Sequence, residues 1–230
     1  MLRKVGKYLF GSLFTLSLIF LISVHSFAQF TEYNNLKRIV TKIIEPSIES
    51  KLNYTIILRM CEYQEKIEFY IENIGNVSVT CDSIKQAGQE KFLALFTDVI
   101  FDKLYSKEYT CDFIGCLKEQ PLVIVSSYAN SFFMSLEVPL MLSTIILAIV
   151  YLRLEETNTK RLKGFGYILL VCGVQFFLLY YIKDFFVKQA PILEILNFLF
   201  SSMTFYYTLA LVFGASLFIV GYILEKKLKA

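Results

Sequence analysis

The sequence has no tryptophan, a single histidine and only four prolines, and long stretches of it carry no charge. Each lack removes something. With His25 as the one imidazole, a Ser–His–Asp or Cys–His nucleophile arrangement has almost nothing to be built from. A zinc centre needs more Cys and His at close spacing, and no Cys-x-x-Cys pair occurs anywhere. No glycine-rich phosphate loop is present, since Gly164-Phe165-Gly166 stands alone. No stripe of basic and aromatic residues suits nucleic acid, which is excluded as a partner. No metal and no cofactor is expected, and the chain reads as non-enzymatic.

What is present is apolar bulk. Hydrophobic residues make up 56% of the 230, with 22 Phe and 15 Tyr, against a net charge of +3. Uncharged tracts run from Val138 to Leu152, from Gly164 to Ile182 and from Ile195 to Leu224, and a fourth begins near the N-terminus. They are continuous and do not alternate, so they read as helices and not as barrel strands. A bilayer core of roughly 30 Å needs about 20 residues at 1.5 Å each. Spans are therefore expected at about 132–152, 164–183 and 198–224. The first of these must carry Glu137 inside one end.

Lysine and arginine set the orientation. Arg153, Lys160, Arg161 and Lys163 crowd one link, and Lys226, Lys227 and Lys229 crowd the C-terminal tail. The opposite loop has only Lys183 and Lys188. The positive-inside rule puts the first two in the cytoplasm, together with Arg3, Lys4 and Lys7. The polar segment 29–128 is then extracytoplasmic, in a multi-pass protein of the cell membrane.

The N-terminus has two readings. After the basic start comes LFGSLFTLSLIFLI, then SVHSFA with Ser26 and Ala28 at the small-residue positions before Gln29. That is the layout of a signal peptide over residues 1–28, and cleavage is the preferred reading. The alternative counts Tyr8 to Phe30 as a permanent first span. Cleavage leaves three spans and retention four.

Four of the five cysteines, Cys61, Cys81, Cys111 and Cys116, fall in the segment 29–128. In an oxidising compartment they read as two disulfides, with three pairings open. Asn53 and Asn76 head glycosylation sequons on the same side. Helical periodicity in Tyr33, Leu36, Val40 and Ile43 predicts a helix ended by Pro46, and Phe92, Phe96 and Val99 trace a second helix after Gly88. Between them, KIEFYIENIGNVSVTC alternates around a turn and predicts a short hairpin. The expected fold is an all-α membrane protein. It combines a transmembrane bundle over 129–230 with a small, mainly helical, disulfide-bonded ectodomain.

A signal-like start, a helical four-cysteine domain containing KEYTCDFIGC, and C-terminal spans together resemble uncharacterised multi-span membrane proteins of archaeal type. The resemblance implies this layout and no activity. Tetraspanins require Cys-Cys-Gly and claudins a tryptophan before their cysteine pair, and this chain has neither.

Three functional readings follow. The preferred one is an anchoring or interaction protein whose external domain meets a protein or surface-layer partner, with membrane lipid around its spans. The runner-up is a small transporter or channel subunit using Glu137, because a carboxylate inside a span costs a few kcal/mol unless paired or hydrated. Gln175, Ser201, Ser202 and Thr204 are its possible partners across the bundle. Lys183 and Lys188 are possible partners near the interface, and the structural role is preferred. The third is a membrane thiol oxidoreductase resembling the vitamin K epoxide reductase family. There, the four-residue interval from Cys111 to Cys116 departs from the two-residue one those enzymes use. Glu155 and Glu156 are expected to be a solvated face. Gly214 and Gly221 share a helix face suited to close packing within the bundle or in a homo-oligomer.

Overall fold

A computed structural model describes residues 2–49, 52–71, 74–186 and 190–229. In chain order it contains α1 (Leu2–Phe30), α2 (Tyr33–Glu49), α3 (Tyr54–Met60), β1 (Lys66–Ile71), β2 (Gly75–Thr80), α4 (Cys81–Tyr105), α5 (Phe113–Glu119), a 3-10 turn (Pro121–Val125), α6 (Ser127–Leu154), α7 (Asn158–Phe186) and α8 (Ala190–Lys229). The chain divides into two compact units. One joins 1–28 to 133–230, and the other is 29–132.

The 29–132 unit is built around a hairpin and a broken helix. β1 and β2 pair antiparallel with Ile67 opposite Val79 and Phe69 opposite Val77. Their alternation sends Ile67, Val77 and Val79 inward. Gly75 closes the turn at φ 95, in the left-handed region glycine enters without strain. A second such residue, Gly88 at φ 65, breaks α4 between two helical stretches. The second stretch points Phe92 and Phe96 at the hairpin, with ring centroids 4.8 Å apart and Phe69 5.1 Å from Phe96. Ile57, Ile84 and the half-buried Tyr54 complete this core.

The cysteines pair locally. Cys61 bonds Cys81, tying the end of α3 to the start of α4 inside that core. Cys111 bonds Cys116 across the N-terminus of α5, where the Asp112 carboxylate caps the helix by accepting from the Gly115 amide at 3.0 Å. Asn53 caps α3 in the same way, its Oδ1 accepting from Thr55 N at 3.0 Å. Its side chain is exposed, and so is that of Asn76 on β2.

One boundary differs from expectation. α2 continues through Pro46 to Glu49. Proline deletes its own N–H bond to the residue one turn earlier, and so near the helix end that single loss does not stop the helix.

The other unit is four long helices. Arg3–Phe30, Ser127–Leu154, Asn158–Leu178 and Leu199–Lys227 are each long and apolar enough to cross a membrane. α8 has 40 residues, roughly 60 Å, and so outruns a bilayer core. α7 and α8 make the closest pair. A Cβ on Gly214 would sit 2.8 Å from Leu170 N and 2.9 Å from Gly166 O. A Cβ on Gly221 would sit 2.8 Å from Lys163 N, and one on Gly166 2.6 Å from Phe218 N. Only glycine lets these backbones approach so far, the usual device for helices that lack a hydrophobic drive to associate.

Candidate functional site

The polar chemistry of the four-helix unit is concentrated where α1 meets α6. Near one end of α1, His25 Nδ1 lies 2.8 Å from Glu137 Oε1 on α6, and its Nε2 lies 2.9 Å from the Tyr206 hydroxyl on α8. The imidazole and phenol rings meet edge to face at 5.0 Å. Near the other end, Lys7 Nζ lies 2.5 Å from Glu155 Oε1, whose side chain is only 3% exposed. Tyr151 Oη adds a contact to the same oxygen at 3.4 Å. Between them, Ser17 Oγ meets Thr144 Oγ1 at 2.7 Å and Ser143 Oγ at 3.3 Å.

The spacing has a simple cause. Two helices running antiparallel, each rising roughly 1.5 Å per residue, keep register when partners are equally separated along both chains. Lys7 to His25 and Glu137 to Glu155 are the same interval, eighteen residues or roughly 27 Å, close to the thickness of a bilayer core. The Lys7–Glu155 and His25–Glu137 pairs therefore stand at the two ends of an apolar stretch, where polar and charged groups cost least. Ser17 and Thr144 lie midway, and hydroxyls can bond there without carrying charge.

The triad can hold a proton in two ways. With a neutral imidazole, Nδ1–H donates to Glu137 and the Tyr206 hydroxyl donates to Nε2. With an imidazolium, both ring nitrogens donate, and Glu137 becomes the counter-ion. Neither change requires the side chains to move. In either arrangement the imidazole links α1, α6 and α8.

Glu137 meets a residue that was not among its expected partners. Its partner is His25, and Gln175 is exposed on α7. The Thr204 hydroxyl donates to its own helix at the Phe200 carbonyl, 2.6 Å away. Lys188 and the side chain of Lys183 lie outside the described residues. Glu155 is not a solvated residue but a buried one paired with Lys7. Glu156 beside it is exposed and paired with Lys160 at 2.9 Å. The equal intervals from Lys7 to His25 and from Glu137 to Glu155 were the available signal for both pairs. Reading them required treating the N-terminal helix as part of the bundle.

Beside the Lys7–Glu155 pair is a cavity of about 580 Å³ lined by α1, α6, α7 and α8. Lys160 and Lys163 line it as well, and Lys163 Nζ reaches Glu225 at 3.4 Å. Among the described residues no group of three His, Cys, Asp or Glu side chains is placed to hold a metal ion. Cys172 is a free thiol with no exposed surface, packed among Phe176 and Tyr207. No protein-family model, no curated protein and no solved structure matches this chain.

Proposed function

We propose that the chain is a non-enzymatic, multi-pass protein of the cell membrane whose four long helices hold a disulfide-tied extracytoplasmic domain for contact with a protein or surface-layer partner. In this reading α1 is the first of four spans and not a removed leader. The observation that carries it is that Glu137 on α6 and Glu155 just past its end find their imidazole and cationic partners on α1. Removing residues 1–28 would leave the buried Glu155 without its cation and the partly exposed Glu137 without its imidazole, the first being the costlier loss. The features that suggest a cleavage site also have a packing explanation. Ser26 and Ala28 are buried, and α1 stays helical through Gln29, whereas a peptidase needs an extended chain at the cut.

The orientation rests on the lysine and arginine bias, which puts residues 29–128 outside and the C-terminus in the cytoplasm. The paired cysteines and the exposed Asn53 and Asn76 suit that side. A thiol oxidoreductase gains little from the geometry. Cys116 has no exposed surface, which shields its sulfur from exchange.

A proton-coupled carrier is the second reading, and the His25–Glu137–Tyr206 triad favours it. Reconstituted vesicles separate the two. The anchoring account expects no proton or cation flux from the wild type, and Glu137→Gln should fold and insert with a loss of about 1 kcal/mol, because a neutral amide still bonds the imidazole. Wild-type flux abolished by Glu137→Gln would establish the carrier.

A further inference from the structure

We infer that the cavity beside the Lys7–Glu155 pair is a binding site for an anionic phospholipid, with the phosphate at its charged rim and an acyl chain along its apolar floor. The inference rests on the reading of the four helices as membrane spans. Three observations support it.

The first is charge. Lys7, Lys160 and Lys163 line the cavity, paired with Glu155, Glu156 and Glu225 in turn. Arg3 stands nearby, its Nε donating to the Leu154 carbonyl at 3.0 Å, and keeps the surroundings cationic. Lys4 lies there too, and after the hydrogen bond from Lys160 both it and Arg3 help to lower the Glu156 pKa. This excess of cations over carboxylates at one end of a helical bundle attracts a phosphate and repels a cationic ligand.

The second is the division of the lining. The charged groups belong to one end of the helices. Deeper residues of the same cavity are Gly11, Thr15, Ile168 and Val171. Gly11 lets the Tyr151 ring pack close against α1 at the cavity wall, since a Cβ there would come 3.2 Å from it. A polar rim above an apolar floor matches a headgroup followed by a hydrocarbon chain and does not match a small hydrophilic solute.

The third is the setting. Tyr8 and Tyr167 line the cavity and are 78% and 60% exposed, the placement of aromatic residues at a membrane–water interface. The same end carries the basic cluster that the positive-inside rule assigns to the cytoplasm, where anionic lipids are concentrated. The volume lies within the range of small-molecule sites, roughly 300–1,000 Å³.

The test uses full-length protein in nanodiscs and the one free thiol. Cys172 is buried, so a thiol-reactive fluorophore reports unfolding as it becomes exposed on heating. Replacing part of the phosphatidylcholine with phosphatidylglycerol should raise the midpoint by about 4 °C. Lys160→Gln with Lys163→Gln should abolish that increment, whatever it does to the midpoint in pure phosphatidylcholine. Ser12→Phe, which fills the cavity and leaves every lysine in place, should abolish it too. An increment that survives both variants overturns the site. An equal increment from inorganic phosphate in phosphatidylcholine discs overturns the lipid as ligand and leaves a simple anion site. Carbonate extraction of the source membrane checks the membrane reading separately, because release into the soluble fraction would fail that reading before any lipid is compared.

Discussion

The two units of this chain solve the problem of holding helices together in opposite ways. The 29–132 unit has an aromatic core of ordinary kind, with Phe92, Phe96 and Phe101 all but fully buried. It adds two covalent ties, and its charged contacts stay on the surface, as with Lys37 and Asp98 at 3.1 Å. That pairing raises the Lys37 pKa, chiefly through the hydrogen bond to Asp98, without making the pair a major source of stability. The four-helix unit reverses this. Its large apolar side chains, such as Phe20, Ile146 and Phe213, point outward and are exposed. Its inner contacts add glycine faces, hydroxyls and polar pairs to two small aromatic clusters, Phe14 with Tyr151 and Phe176 with Tyr207. The difference is what water and lipid would each require. In water, apolar burial drives association, while among lipid tails it gives no preference for helix over lipid. Close backbone packing and polar cross-links are then what remains.

The largest expected effect separates the units outright. Opening the Cys61–Cys81 bond by Cys61→Ala with Cys81→Ala removes a tie across 20 residues of chain, worth about 3 kcal/mol on the loop-entropy model. Limited proteolysis of the full-length protein should then cut between 52 and 105, while the thermal exposure of Cys172 stays at its wild-type midpoint. Loss of both together would mean the units are one cooperative body.

Gly214→Val tests the opposite kind of contact. A side chain there must push into the Gly166 and Leu170 backbone, for which overpacking suggests a loss of about 3 kcal/mol. The Cys172 midpoint should fall and the proteolysis of the 29–132 unit should not change.

Lys7→Gln probes the polar seam. It leaves Glu155 buried with Tyr151 as its remaining described contact, at a cost of about 2 kcal/mol, reduced from the fully buried case because Lys7 is 38% exposed. Lys7→Gln combined with Glu155→Gln should recover most of that loss. A double variant no better than the single one would mean that the pair contributes no coupling.

How much of this was legible depended on whether the signal was local. The hairpin could be read from alternation on either side of a glycine turn. The break before Phe92 was marked by Gly88, and the apolar tracts by their lack of charge. Gly214 and Gly221 could be placed on one helix face by spacing alone. Pairings across the chain were another matter. The cysteine connectivity follows from β1 and β2 bringing the ends of α3 and α4 together, which four cysteine positions cannot reveal. Pro46 was misread because a proline signals a lost hydrogen bond, and the cost of that loss depends on how much helix remains beyond it. The burial of Glu155 was missed because a charge cluster between two spans looks solvated until the lysine that neutralises it, far away in sequence, is brought alongside. His25 was set aside with the N-terminal segment that contains it. Its role appears only when α1 is counted among the spans.

That last point is the most direct test of the whole account. Protein purified from its native membrane should be digested and its N-terminal region identified by mass spectrometry. The account predicts that the mature protein still contains the stretch from Tyr8 through His25 to Gln29, with α1 as a permanent span. A mature chain beginning at Gln29 would contradict it, leaving Glu137 and Glu155 without the partners on which the four-helix reading depends.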